Sequence, residues 1–260
     1  MKWILEKDRF EEQPKFITAC EMLSLPYELL TYRELFDRRA SFTSDCIYYG
    51  GIDAVLQLRK FALQVWIDIN CNAYYPTLPT EAILNNRYIL LPYGELIRQK
   101  INIFGMFGAE QVFIRPNSGF KQFTGYLVSY KDWEREIRSI NMWPDELVLI
   151  SGRKNILREW RLVIAGAEVQ KVVSGSKYME MGEIVEFPDR KLPAAVVEFA
   201  NSLLNDATNI YPAWTMDVCE LETGLQVVEI NSFSCAGLYG CDLLKVVDQV
   251  TKATQELICG

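Results

Sequence analysis

Residues 214–231 read WTMDVCELETGLQVVEIN. Two strand-like runs, Trp214–Leu221 and Gln226–Asn231, flank Glu222-Thr223-Gly224. Apolar residues alternate with polar ones on both sides of a glycine-containing turn, which predicts a β-hairpin. With Thr223 as the pivot, Asp217 lies as far before the turn as Glu229 lies after it. The two carboxylates then face each other, with Cβ atoms roughly 4.5–5.5 Å apart. Asn231 lies two residues further on and shares their face. Met216, Val218, Val228 and Ile230 make the opposite, apolar face.

Two carboxylates set opposite each other repel and destabilise a sheet. A divalent cation between them removes that penalty. Magnesium takes one or two carboxylates and completes its shell with phosphate oxygens and water, and Asn231 adds a neutral oxygen. The alternative is a solvated acidic pair on an edge hairpin, since a one-residue change of register separates the two.

A second polar feature lies upstream. Phe113-Ile114-Arg115-Pro116-Asn117-Ser118-Gly119-Phe120-Lys121 reads as a strand, a turn and a return over Lys121–Gly125. It sets two cations on the flanks of a loop whose backbone N–H groups can hold phosphate. The alternative is a pair of solvated side chains. The Gly-Lys-Ser/Thr phosphate loop and the Gly-x-Gly-x-x-Gly fingerprint are both absent.

Around these features the chain reads as α/β first and α+β afterwards. Trp3–Leu5, Tyr27–Leu30 and Cys46–Tyr49 are expected strands. Pro14–Leu23 has helical spacing, with Phe16, Ile17, Cys20 and Leu23 on one side. Asp53 is expected to cap a helix, and Ala54–Ile69 reads as amphipathic. A loop over residues 70–79 follows, and a domain boundary is expected near 85. Beyond it, helices are expected over 94–104, 132–140, 193–205 and 242–258. Strands are expected over 146–151, 160–164 and 169–174. The fold class is therefore an α/β domain over 1–85 and an α+β domain with antiparallel sheets over 86–260, divided again near 145.

The chain has 260 residues, a formal net charge of −7 and no histidine. Ser-His and Cys-His nucleophile systems and imidazole-ligated zinc are excluded. A hard cation on oxygen ligands is compatible with the composition. The acidic balance argues against a nucleic-acid partner. No apolar run is long enough for a membrane span. The charged start, Met1–Arg9, does not resemble a leader, and seven cysteines occur without a Cys-x-x-Cys pair. Reduced thiols and a cytoplasmic location are expected.

Taken in order, these pieces resemble the ATP-grasp superfamily. Arg115-Pro116 is similar to the family's Lys-Pro strand, and the segment to Lys121 to its mobile glycine-containing loop. Residues 146–151 resemble the linker strand whose backbone reads adenine. Glu159-Trp160-Arg161-Leu162-Val163 resembles the strand that follows. Asp217 with Val228-Glu229-Ile230-Asn231 resembles the closing acidic strand pair. Arginine at 115, where lysine is commoner, together with Arg161, resembles the small clade named for two arginines and a lysine. The glycine loop is short, with only Gly119 ahead of Lys121.

The resemblance implies ATP and magnesium as cofactors. It implies phosphate contacts from Arg115 and Lys121, and adenosine contacts from Glu146 or the backbone of Val148–Ile150. Glu159 would position the lysine or the ribose. Arg161 would meet the γ-phosphate or a substrate carboxylate. Asp217, Glu229 and Asn231 would be magnesium ligands. The expected activity is ATP-dependent ligation of a carboxylate to an amine or other nucleophile on small molecules or peptides, through an acylphosphate. A phosphotransferase on the same cradle, and an ATP-binding regulatory protein without turnover, are the alternatives.

Overall fold

The computed structural model describes residues 1–67, 69–189, 191–204 and 211–259, with residues 186–189 described by backbone alone. The chain opens with β1 (Lys2–Glu6), α1 (Gln13–Met22), β2 (Tyr27–Leu30), α2 (Tyr32–Arg38), β3 (Cys46–Tyr49) and α3 (Ile52–Leu58). The three strands are parallel in the order β2-β1-β3. Helix α2 has no counterpart in the sequence reading. Its signal is Thr31-x-x-Glu34, a reciprocal cap in which each side chain bonds the other residue's backbone N–H.

Two expectations fail here. The cap of α3 is Gly51, and Asp53 lies inside the first turn. The helix also stops at Leu58 instead of running to Ile69. Gln64 turns back to pair with β3, donating its N–H to Cys46 and accepting one from Tyr48. The apolar run beyond Leu58 is thus buried as extended chain, with Leu63, Trp66 and Ile67 all in the core.

The chain continues with α4 (Cys71–Tyr74), β4 (Tyr88–Pro92), α5 (Tyr93–Leu96), α6 (Lys100–Phe107), β5 (Gln111–Pro116), β6 (Tyr126–Ser129), α7 (Trp133–Arg138) and β7 (Leu147–Gly152). The helix expected over 94–104 is two helices, α5 and α6. The return strand begins at Tyr126, so Lys121 lies in the connection. Asp132 precedes α7 without capping it, because its carboxylate accepts from the Ser129 hydroxyl instead.

Then come β8 (Arg158–Ala165), β9 (Lys171–Glu180), β10 (Glu183–Asp189), α8 (Ala194–Ser202), β11 (Ala213–Leu221), β12 (Gly224–Ser232) and α9 (Leu243–Cys259). The expected helix over 193–205 corresponds to α8, and residue 205 is outside the described set. Asp242 caps α9, as its side chain accepts the N–H of Lys245.

By contacts the chain divides into two compact units. The first joins Met1–Ile67 to Ile156–Gly260, and the second is Asp68–Asn155. The first unit holds the parallel sheet and an antiparallel sheet ordered β10-β9-β8-β11-β12. Its core mixes both stretches of chain: Trp3, Phe16 and Tyr49 cluster with Val163, Phe233, Val246 and Val250. The second unit holds an antiparallel sheet ordered β4-β7-β5-β6, whose core includes Leu96, Ile114, Trp133 and Val148. Among the described residues no helix is long and apolar enough to cross a membrane.

Candidate nucleotide and metal site

Arg115, Lys121, Glu146, Val148 and Ile150 belong to the second unit; Glu159, Arg161, Asp217, Glu229 and Asn231 belong to the first. Each unit presents its own polar constellation.

In the second unit, Arg115 ends β5 as a largely buried arginine, paired in register with Leu149. After Pro116 the chain enters a braced turn. The Asn117 side chain accepts the N–H of Asn72 and donates to the Asn72 side chain. Gly119 N–H donates to the Asn70 side chain at 3.2 Å. A Cβ at Gly119 would lie 2.8 Å from the Ile69 carbonyl oxygen, so this close approach of two backbones requires glycine. Lys121 follows, exposed, with a left-handed φ of 48°. The turn is a shaped loop held from one side by Ile69–Asn72.

Glu146 bridges two segments. One carboxylate oxygen accepts from the Gln122 amide at 2.7 Å and the other from the Trp143 N–H at 2.8 Å. It thereby ties the connection after Lys121 to the start of β7. Val148 and Ile150 do not offer the open backbone expected of an adenine-reading strand. β7 lies between β4 and β5, both residues pair on each side, and both side chains are fully buried.

In the first unit one transverse row crosses four strands: Ser176 on β9, Arg161 on β8, Asp217 on β11 and Glu229 on β12. Asp217 does face Glu229, by a route the sequence reading did not contain. The hairpin turns on Glu222-Thr223, with Leu221 opposite Gly224, and this alone would set Asp217 against Val228. A β-bulge at Val228 adds one residue and restores the pair. The bulge also moves the core contact, since Val227 rather than Val228 is the buried partner of Val218.

The expected repulsion in the row is relieved from within the protein. Arg161 holds Asp217 through two hydrogen bonds, Nε to Oδ1 at 2.8 Å and Nη2 to Oδ2 at 2.6 Å. Its Nη1 donates to the Gly237 carbonyl at 2.9 Å, and Nη2 lies 3.7 Å from a Glu229 oxygen. Asp217 is wholly buried and Arg161 nearly so. Burial alone would ease the guanidinium's proton off, but Asp217 outweighs it and the net shift is upward. The guanidinium also sits 4.8 Å from the Tyr239 ring, which stacks on Tyr178 at 4.7 Å. The Tyr178 hydroxyl donates to the buried Glu159. Tyr178, Tyr239 and the Gly237 carbonyl are absent from the sequence reading. The one signal for Gly237 and Tyr239 is the Gly237-Leu238-Tyr239-Gly240 stretch shortly after Asn231, and Tyr178 has none.

The residues of the row suit a magnesium ion. The Asn231 amide and a Glu229 oxygen are 2.8 Å apart. Neighbouring ligands of an octahedral magnesium at 2.0–2.1 Å sit about 2.9 Å apart. Turning the amide over would put oxygen where nitrogen now donates. Both Asp217 oxygens accept from Arg161, and a carboxylate oxygen has a second lone pair by its chemistry. The Thr215 hydroxyl, buried on the same face and in register with Asn231, has no hydrogen-bond partner. Among the described residues no cluster of three or more His, Cys, Asp or Glu exists, so any hard cation here relies on mixed carboxylate and neutral oxygens. Cys241 is buried, and burial pushes its thiol up to about 12.

The sequence profile of the ATP-grasp domain, R2K clade family 2, matches residues 99–249. No curated protein matches the chain. Among solved structures, D-cycloserine synthetase is similar over 98% of each chain, at 11% identity and a TM-score of 0.67. A RimK-domain ATP-grasp protein from Sphaerobacter thermophilus is similar over the whole of both chains, at 13% identity and a TM-score of 0.60. D-alanine–D-alanine ligase from Bacillus anthracis is similar over 99% of this chain and 94% of its own, at 15% identity and a TM-score of 0.59. At these identities the likeness concerns the fold.

Proposed function

Because this chain belongs to the ATP-grasp family of the R2K clade, we propose that it is an ATP-dependent ligase that joins a carboxylate to an amine or other nucleophile through an acylphosphate. The observation that carries the reading is the row Arg161–Asp217–Glu229, closed by Asn231, on adjoining strands of the first unit. Asp217, Glu229 and Asn231 would hold magnesium, which when bound draws charge from the phosphates. Arg115 and Lys121 would contact phosphate oxygens, with the braced turn limiting how far Lys121 must be ordered on binding. Adenosine contact falls to Glu146 at the start of β7, rather than to Val148 and Ile150.

In this reading Arg161 has two duties. It cancels the charge of Asp217 while the row is without metal. It also presents a guanidinium beside the place where phosphoryl charge is handled, and a fixed cation there stabilises the transferring group. No protein nucleophile is needed, which agrees with a chain lacking histidine. The substrate's own carboxylate attacks the γ-phosphorus, ADP leaves, and the incoming amine displaces phosphate from the acylphosphate. Small molecules or peptides carrying a carboxylate are the proposed substrates.

The test is product analysis during ATP turnover with a panel of carboxylates and amines. Equal release of ADP and orthophosphate, dependent on both substrates, is expected. ADP with a stably phosphorylated product would make the protein a phosphotransferase. Nucleotide binding without turnover across the panel would leave only a binding role.

A further inference from the structure

Glu12 has no part in the nucleotide reading and lies outside the residues matched by the family profile. It stands just before α1, where an acidic side chain commonly turns back to cap the helix. Here it makes no cap. Its carboxylate instead reaches across the first unit and accepts the Leu238 N–H at 2.6 Å. The other end of that peptide group is the Gly237 carbonyl, which accepts from Arg161 Nη1 at 2.9 Å. The N–H and C=O of a trans peptide point opposite ways. One peptide group is thus strung between a carboxylate of the opening segment and the guanidinium of the acidic row.

Both bonds are charge-assisted, and each strengthens the other. A carboxylate on the N–H makes the carbonyl a better acceptor, and a guanidinium on the carbonyl makes the N–H a better donor. The turn that carries the peptide is braced on both sides. Leu238 is wholly buried, and the Gly240 N–H donates to the Ser176 hydroxyl at 3.2 Å. The buried Tyr49 hydroxyl lies 3.0 Å from the same Glu12 oxygen and 2.9 Å from the Ala236 carbonyl.

Among the described residues, two hydrogen bonds from Arg161 go to Asp217 and the third goes to this peptide. In the ligase reading Asp217 also serves a metal ion, so the third arm is the one that holds the guanidinium independently of that ion. We propose that Glu12 is a positioning residue for the reaction: acting through the Gly237–Leu238 peptide, it sets where the Arg161 guanidinium stands. Its place in the reaction rests on the ligase reading, whereas its link to Arg161 does not.

The test compares the full chain with two variants. Glu12→Gln keeps the size of the side chain and removes its charge. Tyr49→Phe removes the neighbouring hydroxyl and leaves the carboxylate. The first readout is heteronuclear NMR of the Arg161 side chain without nucleotide. In Glu12→Gln the Nη1 protons are expected to exchange with solvent several-fold faster, while the Nε proton, held by Asp217, is unchanged. In Tyr49→Phe both are expected to match the parent. Unchanged Nη1 exchange in Glu12→Gln would overturn the proposal. So would equal acceleration at Nη1 and Nε, the mark of a generally loosened fold, or the same Nη1 acceleration in Tyr49→Phe. If Glu12→Gln does not fold, Glu12→Asp, which withdraws the carboxylate by one methylene, is read in the same way. The second readout is ATP turnover with the substrate panel. Glu12→Gln is expected to lower kcat about tenfold with the KM for ATP little changed, since the guanidinium acts on the transferring group. Unchanged kcat beside a loosened Nη1 would sink the proposal and leave the ligase reading intact. A parent chain that turns over no ATP would remove the ligase reading, and the NMR result alone then decides the link between Glu12 and Arg161.

Discussion

Asp217 and Glu229 look alike in the sequence and differ in the fold. Asp217 is wholly buried and held by two hydrogen bonds from Arg161, while Glu229 stands at the rim of the same row. Removing one member of a buried ion pair strands the other charge, at a cost of about 3–5 kcal/mol. Asp217→Asn is therefore expected to lower the melting temperature strongly, and Glu229→Gln to cost no more than about 1 kcal/mol. The double variant Arg161→Gln/Asp217→Asn, with no stranded charge, is expected to recover much of the loss. A denaturation series on the four proteins checks this, and equal stability of Asp217→Asn and the parent would refute the buried pair. ATP turnover is expected to fall in all three variants. The repulsion between the two carboxylates is legible in the sequence and its relief is not, because the partner comes from another strand and nothing local to Asp217 announces Arg161.

At the scale of elements, the acidic pair depends on Val228. The bulge there compensates a turn one position tighter than a Thr223 pivot implies. Deleting Val228 leaves Glu229 next after Val227 and still opposite Asp217, so the row survives. Deleting Thr223 shortens the turn and shifts every later pair, which sends Glu229 to the other face. Magnesium-dependent stabilisation by ATP is expected to persist in the Val228 deletion and disappear in the Thr223 deletion, as read by melting temperature. The same example shows what the sequence discloses. Tyr27–Leu30 and Cys46–Tyr49 are legible to the residue: the second is a wholly buried apolar run of the kind parallel strands favour, and the first is half-buried, with Glu28 inside it, and is marked by Pro26 ahead and Thr31 behind. The hairpin was legible by alternation. The bulge was not, since the extra residue is one valine among several. The end of helix α3 is not legible, because an apolar run can be buried as helix or as extended chain, and pairing of Gln64 with β3 decides it.

For the whole molecule, ATP with magnesium is expected to raise the melting temperature, since a ligand bound only by the folded state stabilises it. Lys121→Ala is expected to reduce that rise by removing a charge-assisted contact, and an unchanged rise would remove Lys121 from the phosphate site. Alkaline pH provides a second global readout. Burial pushes the thiols of Cys20, Cys219 and Cys241 up to about 12, against 9.0 for an unburied thiol. Above 9 the unfolded chain has shed these protons while the folded chain keeps them, so stability falls as pH rises toward 12. Denaturation midpoints between those limits test the sign, and a flat profile would mean that the thiols are not shielded. The division of the chain has a consequence for its birth. Trp3, Phe16 and Tyr49 share one core with Val246 and Val250, while residues 68–155 form a unit of their own. On the ribosome the opening segment must wait, its apolar face uncovered, until nearly the whole chain has emerged. The later-numbered unit can fold first. A nascent chain stalled after residue 155 is expected to carry one finished body and one stretch that chaperones and proteases still recognise as unfinished.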